Sequence, residues 1–348
     1  MDLTLGSEQE AVRDAIRGVL ADRQPTARVR QVMTLDPPVD GALWREAAAL
    51  GWFGLTLPET AGGAGYGLPE AMLLFQELGR GVIPGPWLGT VLAARALAAR
   101  PGGHPALDGL LAGRRRVAVV DDPEDQLGKG ARLEGAAHAV VDAGCCDALL
   151  VLGRETSRLV ECDARGVRIE GGPSVDPTRR IGTVTFAGVD AVQDLDDLGD
   201  ARRWRLEGTV LAAAETLGVA ERTVEMSVEY GKVRQQFGKP IGTFQAIKHR
   251  CADMAVRTEV ARSSVTYAAV ALAEGEPGVA RHVAMAKTLA SNAALINATD
   301  NIQNHGGMGY TWESDAHLYL KRARLLEHCF GTRTAHLDAL AAPWRAAR

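Results

Sequence analysis

Aromatic residues make up only 5% of this 348-residue chain, and no stretch of about 18 consecutive apolar residues occurs in it. The second absence excludes a membrane-spanning helix. Neither sign of charge dominates: Lys and Arg total 39 against 43 Asp and Glu, a formal charge of -4. That balance gives no electrostatic reason to expect nucleic acid or another polyanion as a partner. The five cysteines, Cys145, Cys146, Cys162, Cys251 and Cys329, show no C-x-x-C spacing and no paired Cys/His pattern. Reduced thiols packed in the core, with no metal site, are the expectation. Met1 to Glu10 carries acidic residues early and lacks a basic leader followed by an apolar run, so no secretory signal is visible and the cytoplasm is the expected compartment. What is present, 46% hydrophobic residues weighted to Ala, Val and Leu with 24% charged, supplies apolar mass for two or three packed domains. Disorder and collagen are excluded, and a small-molecule enzyme is the default class.

The pattern along the chain changes twice. Ser7 to Arg23, Gly41 to Leu50 and Leu88 to Arg100 carry apolar residues at helical spacing, with a Pro/Gly-rich turn region from Leu57 to Pro69 between them. From Arg116 the signal becomes short Val/Leu runs: Val117 to Val120, Ala139 to Val141, Ala148 to Leu152, Leu159 to Glu161 and Thr183 to Phe186. No run of helical length separates them, so an antiparallel sheet or barrel is expected, not a parallel nucleotide-binding sheet. Beyond Asp200, long helices are expected over Arg202 to Lys232, Gln245 to Glu274, Gly278 to Asn304 and Ser314 to Phe330, which makes a four-helix bundle. The fold class is α+β and mainly α: an N-terminal helical domain (1–113), a small antiparallel β domain (114–199) and a C-terminal four-helix bundle (200–348).

Two segments carry chemistry. Arg234-Gln-Gln-Phe-Gly-Lys-Pro runs into a new helix beginning near Gln245. Arg234 suits a bidentate phosphate contact and Phe237 suits a planar ring; the alternatives are a solvated helix-end cation and a core phenyl. Gln303-Asn-His-Gly-Gly-Met-Gly ends a long helix with glycines that permit close backbone approach to a pyrophosphate, or simply form a C-cap. His249 and Asp253 share a helical face, where a structural histidine is expected because metal binding needs further ligands. Glu313 reads first as a helix-capping residue, and Arg345 to Arg348 as a solvated tail.

Together, in this order and spacing, these segments closely resemble the acyl-CoA dehydrogenase family of flavoproteins. Leu57-Pro-Glu-Thr-Ala-Gly-Gly-Ala-Gly65, Phe75-Gln-Glu-Leu-Gly-Arg80 and Asp176-Pro-Thr-Arg-Arg180 look like the same family, so the resemblance covers nearly the whole chain. It implies FAD held across a subunit interface, with Arg234, Phe237 and Gln245 matching flavin-contacting positions. Gln303, Gly306 and Gly307 match the pyrophosphate loop, and Thr332 matches the threonine of the family's Glu-Gly-Thr. It also implies α,β-dehydrogenation of an acyl-CoA or related acyl thioester, at least a dimer, and an electron-transfer flavoprotein as acceptor.

The departures are as informative. The family's base is a carboxylate, because the α-C–H of a thioester is a weak acid even when its enolate is stabilised. Its usual position is Phe330 here, and a phenyl ring takes no proton. Members that carry the base on the first bundle helix would place it at Gly208, one residue from Glu207, and one residue rotates a helical side chain by about 100°. Glu207 is therefore the candidate base, with a solvated or first-turn glutamate as the alternative. The family's Thr-x-Pro-Gly-x-Gly-Ser-Asp-like loop is replaced by Asp121-Asp-Pro-Glu-Asp-Gln-Leu-Gly-Lys-Gly130. The expected protein is a short, divergent acyl-CoA dehydrogenase, either a homo-oligomer or the base-deficient subunit of a hetero-oligomer with a homologous base-bearing partner. A non-catalytic structural or regulatory subunit, or an acyl-binding protein, is the alternative on the same fold.

Overall fold

The computed structural model describes residues 3–100, 104–128, 132–190, 193–194 and 201–346. Its helices are α1 (Ser7–Arg23), α2 (Thr26–Val32), α3 (Gly41–Ala49), α4 (Leu68–Arg80), α5 (Trp87–Ala98) and α6 (Pro105–Leu111), then α7 (Ala201–Val233), α8 (Gln245–Ala273), α9 (Val279–His305), α10 (Ala316–His328) and α11 (Arg333–Ala346). Its strands are β1 (Val117–Asp121), β2 (Arg132–Val141), β3 (Ala148–Leu152), β4 (Ser157–Glu161), β5 (Val167–Gly172), β6 (Ile181–Asp190) and β7 (Gln193–Asp194), with a short ribbon of β8 (Gln235–Gln236) and β9 (Lys239–Pro240). The helical spacing located α1, α3, α5 and α7–α10; α11 is a fifth helix after the four expected ones. The boundary expected between residues 199 and 200 lies outside the described residues.

By their contacts the residues divide into two compact units, 1–26 with 72–83 and 209–348, and 27–71 with 84–208. In the second unit the strands form two sheets, β1-β3-β4-β7 and β2-β6-β5. Between them lies a core of Val120, Leu133, Leu149, Val151, Val160, Val184 and Phe186. The antiparallel expectation needs one correction: β1 pairs with β3 in parallel, Val117 beside Ala148 through Asp121 beside Leu152. A parallel pair needs a long crossover, and here β2, placed in the other sheet, supplies it in place of a helix. Trp44, Phe53 and Trp87 cluster in the same unit, with Trp44 4.5 Å from Phe53 and 4.6 Å from Trp87 between ring centroids. The two indoles donate their N–H groups to the carbonyls of Gly113 (3.1 Å) and Pro84 (2.9 Å).

In the first unit, residues 72–83 lie against α7 at backbone distance. A Cβ on Gly79 would sit 1.9 Å from the Glu215 carbonyl oxygen, and one on Gly218 would sit 1.9 Å from that of Gln76. Neither neighbour is a side chain that can swing away. Beside this contact the fully buried Arg322 donates to the Glu215 carboxylate at 2.7 Å and to the carbonyls of Val82 (3.1 Å) and Ile83 (3.3 Å). On α9, buried Ala286, Ala290, Ala293, Ala294 and Ala298 keep side-chain volume small along one face.

Gly218→Ala should therefore destabilise the protein by about 1–3 kcal/mol or more, since overpacking against backbone has no rotamer escape. Thermal unfolding monitored by circular dichroism measures it, and an unchanged midpoint would contradict the contact. Arg322→Met, which removes the guanidinium hydrogen-bonded to the buried Glu215 carboxylate, should cost about 3–5 kcal/mol on the same measurement.

Candidate functional site

Helix α7 stops at Val233 because the ribbon β8–β9 turns the chain: the Ile241 N–H donates to the Arg234 carbonyl at 2.8 Å. Phe237 and Gly238 occupy the turn with φ of 54° and 76°. Left-handed backbone is easy for glycine and costs phenylalanine roughly 1–2 kcal/mol. Phe237 nevertheless holds it, with 91% of its surface exposed and its ring edge-on to Phe244 at 6.0 Å. The core alternative for Phe237 is thereby corrected. The Arg234 side chain is exposed and makes no hydrogen bond or ion pair among the described residues. Gln245, also exposed, is the first residue of α8.

The second segment ends α9. Gly306 has φ of 60° and its N–H donates to the Gln303 carbonyl. A Cβ on Gly306 or Gly307 would meet nothing within 4 Å, so packing does not demand these glycines. Gln303 and Gly307 are exposed, as are Tyr310 (74%) and Trp312 (62%). The structure brings the two segments to one end of the helical unit. The Tyr230 ring at the end of α7 stacks on His305 at the end of α9, 4.2 Å between centroids and 23° from parallel. Arg250 near the start of α8 donates to the Asn304 side-chain oxygen at 2.7 Å. Arg234, Phe237, Gln245, Gln303, Gly306 and Gly307 thus form one accessible edge that combines a guanidinium, an aromatic face and bare backbone.

Thr332 lies apart from that edge in sequence and acts locally. Its hydroxyl accepts the Ala335 N–H at 3.2 Å, capping α11. Phe330 and Gly331 before it are left-handed, with φ of 56° and 94°. The Phe330 phenyl is buried, at 9% exposure. Its carbonyl accepts the His336 Nε2–H at 2.9 Å. Lys287, fully buried, donates to the Leu326 carbonyl, and burial pushes its ammonium down to about 8. The turn is held by hydrogen bonds to backbone.

Glu207 is not the solvated or first-turn glutamate given as the alternative. It is 2% exposed, and its carboxylate accepts from Arg95 at 2.6 and 3.2 Å and from Arg203 at 3.1 Å. The Arg203 contact is a helical i,i+4 pair legible in sequence, whereas Arg95 comes from α5 and left no local signal. In the loop after β1, both Asp122 carboxylate oxygens accept backbone N–H groups, from Gln126 and Leu127, each at 2.9 Å. Asp125 accepts the Arg154 N–H at 2.7 Å. These loop amides are satisfied internally; Lys129 and Gly130 lie outside the described residues. The Asp176–Arg180 stretch is structural, with Asp176 accepting the Thr178 N–H at 2.9 Å and Arg179 donating to Asp142 at 2.8 Å.

His249 and Asp253 are exposed and without side-chain partners among the described residues, so the expected structural histidine is corrected. Glu313 is exposed, and the start of α10 is met instead by Ser314, whose hydroxyl accepts the Ala316 N–H at 3.2 Å. A cleft of about 360 Å³ between α1, α4, α7 and α8 is lined by Arg13, Arg17, Arg80, Glu221, Glu225 and Arg262. Its charges satisfy one another: Glu225 accepts from Arg80 at 2.8 Å, and Glu221 accepts from Gln76 at 2.6 Å, from Arg80 and from Arg262. No group of three or more His, Cys, Asp or Glu side chains that could hold a metal occurs among the described residues, and no helix there is long and apolar enough to cross a membrane.

Comparison with known proteins gives these features a family. Residues 6–101 match the model of the acyl-CoA dehydrogenase N-terminal domain, and residues 206–343 that of the acyl-CoA dehydrogenase C-terminal domain. Acyl-CoA dehydrogenase IpdE2 of Mycobacterium tuberculosis is 36% identical over 326 residues, covering 92% of each chain. Acyl-CoA dehydrogenase FadE34 of the same organism is 35% identical over 337 residues, which are 93% of this chain but 46% of that protein. The crystal structure of the ChsE4-ChsE5 complex from Mycobacterium tuberculosis superimposes with a TM-score of 0.89 at 26% identity, covering 99% of both chains. The chain belongs to the acyl-CoA dehydrogenase family.

Proposed function

We propose that this chain is the base-deficient subunit of a two-component, FAD-dependent acyl-CoA dehydrogenase. In this reading its helical unit completes the adenine and pyrophosphate end of a flavin seated on a homologous partner. The observation that carries it is an asymmetry between the two ends of the expected site. The adenine-side edge keeps its groups: the Arg234 guanidinium has no partner among the described residues, Phe237 holds an exposed ring on left-handed backbone, and Gly306 and Gly307 leave room for a ligand against the backbone. These groups fit a dinucleotide's phosphates and purine. The chemical end does not fit. Phe330 puts a buried phenyl where the carboxylate belongs, both Glu207 oxygens are held by arginines, and the amides of Gln126 and Leu127 are taken by Asp122.

Bound FAD would supply the acceptor for the β-hydrogen of the acyl group, taken as hydride. The α-proton must then leave to a carboxylate, and in this reading the partner subunit supplies it. Arg234 neutralises phosphate charge, Phe237 covers a ring face, Gln245 and Gln303 offer amide hydrogen bonds, and Gly306 and Gly307 admit the pyrophosphate. Thr332 caps the helix beside the base-position turn. Two relatives support a paired assembly: the ChsE4-ChsE5 structure is named as a complex, and FadE34 has length for a second unit of this size beyond the part matched here. An electron-transfer flavoprotein would reoxidise the flavin of such an assembly.

Purified alone, the chain should retain little FAD and should not oxidise acyl-CoA thioesters. Co-expressed with a homologous subunit that carries the glutamate, it should yield a yellow, active complex. Stoichiometric flavin and robust turnover from the isolated chain would overturn the partner requirement. No flavin and no turnover in either state would favour a structural or regulatory subunit. In the active complex, Arg234→Ala should lower the FAD content measured by absorbance after gel filtration.

The base-position turn makes a further prediction. Burial lowers the pKa of His336, opposed by its hydrogen bond to Phe330 and helped by nearby Lys287. With the folded value below the ordinary one of about 6.5, the neutral ring's contribution is complete above about pH 6.5 and is lost as pH falls below it. The thermal midpoint of the wild type should drop more steeply than that of His336→Gln on acidification from about pH 7 to 5. Parallel curves would show that His336 is not coupled to folding.

A further inference from the structure

Cys146 and Cys162 lie on either side of the β3–β4 hairpin. The last ladder pair of that hairpin is Ala148 with Glu161, and one step beyond it the Cys162 N–H donates to the Asp147 carbonyl at 3.0 Å. This folds the two cysteines together, with their sulfurs 3.6 Å apart. Both thiols are free and half-buried, packed on the edge of the core between the two sheets. Cys146 is also oriented by its S–H, which donates to the Ala143 carbonyl at 3.1 Å. Cys145, next in sequence, is different: it is 2% exposed, and burial pushes its thiol up to about 12. Adjacent residues thus divide into one buried, unreactive thiol and one that faces a second sulfur across a hairpin.

We propose that Cys146 and Cys162 form a reversible intramolecular disulfide when the protein meets a low-molecular-weight disulfide oxidant. The sulfurs, 3.6 Å apart, need to close by only about 1.5 Å to bond. One cysteine thiolate attacks the oxidant R–S–S–R, forming a mixed disulfide and releasing one RSH after proton transfer. The other cysteine then attacks the protein sulfur of that mixed disulfide and expels the second RSH. Two protein thiols lose two hydrogens in all, and the oxidant is reduced to two thiols. The neighbouring sulfur and burial raise the Cys146 thiol, which keeps thiolate scarce and makes the pair slow to react. In a reducing compartment the pair is open at rest and closes only under oxidant load. Closure joins the start of β3 to the end of β4 and restricts the unfolded chain, so the oxidised form is the more stable. The cross-link does not depend on the flavin reading, and its test leaves that reading untouched.

The full chain is incubated under native conditions with excess oxidised glutathione, quenched with iodoacetamide and digested with trypsin. The sequence places Cys145 and Cys146 on the peptide 133–154 and Cys162 on the peptide 159–165. The expected product is these two peptides joined, lighter than their sum by two hydrogens and separated again by reductant. The joined product should persist in Cys145→Ser and vanish in Cys146→Ser and Cys162→Ser, each checked for folding by circular dichroism. The oxidised wild type should melt several degrees above the reduced protein. Cys146 and Cys162 both recovered alkylated, a reaction halted at the glutathione adduct, or a cross-link that survives Cys146→Ser through Cys145 would each overturn the proposal. Should one serine variant fail to fold, the wild-type peptide map and the other variant decide.

Discussion

The helical unit depends on two helices meeting where neither has a side chain. Gly79 and Gly218 each face the other segment's carbonyl at a distance that excludes even a methyl group. Once backbones stand that close, Gln76, Glu77, Glu215, Glu221 and Arg322 beside the contact are buried, and they find partners within the unit. Gln76 and Arg80 therefore meet Glu221 and Glu225, Arg17 reaches Glu77 at 2.7 Å, and Arg322 answers Glu215 while also bonding the carbonyls that follow Gly81. Burying these carboxylates is tolerable only because each is hydrogen-bonded by a cation or an amide. The ion pairs are a consequence of the close contact. Burial raises the Glu221 pKa, opposed by Arg262, by its hydrogen bond from Gln76 and by Arg80.

The rigidity of that unit reaches the candidate site through a run of buried amides on α9. Asn297 donates to the Met254 carbonyl and to the Thr258 hydroxyl, Asn301 accepts from Ser227, and Asn304 accepts from Arg250. Spaced by four and three residues, these side chains lie along one helical face and tie α9 to both α7 and α8. They stop one residue before His305, whose ring closes on Tyr230. The helix ends leading to Arg234 and Gly306 are thereby tied to each other, while the Arg234 side chain stays exposed. In the proposed reading this edge receives the phosphates and purine of FAD, which suit its guanidinium, ring and backbone N–H groups.

Much of this was legible in sequence, for reasons that can be assigned. Long helices announce themselves through periodicity, so α7 to α10 were located within a few residues, and the motifs at their ends could be placed on turns. Strand β5 was missed although Val167 and Ile169 alternate with Arg168 and Glu170, a period-two pattern too short to stand out. The parallel pairing of β1 with β3 was beyond reach, because the rule that parallel strands need a helical crossover does not foresee a strand in a facing sheet filling that role. Glu207 shows the limit for a site residue. Its partner on the same helix is visible at i+4 spacing, whereas Arg95 lies 112 residues away and converts an apparent surface glutamate into a buried ion pair. Phe237 has two readings in sequence, a face for a planar ring and a core phenyl, and the structure holds the phenyl out in solvent.

The two departures from the family pattern are connected by chemistry. A flavin seat without a base would hold an acyl thioester beside an oxidant with nowhere for the α-proton to go. A base without a flavin seat would have no acceptor for the hydride. Losing one function removes what maintains the other, so both should be lost in the same chain, and here the phenyl of Phe330 and the self-satisfied loop of Asp122 occur together. In the proposed two-component reading the adenine-side edge escapes this logic, because it would serve whichever subunit holds the reacting end of the cofactor. A phenylalanine exposed on left-handed backbone is a cost to an isolated protein, and a ligand that covered the ring would offset part of it. The exposed, strained residue lies at this edge, while the base position holds a buried phenyl and Glu207 a closed ion pair, an asymmetry that supports the proposed reading of the chain as one half of a paired flavin site.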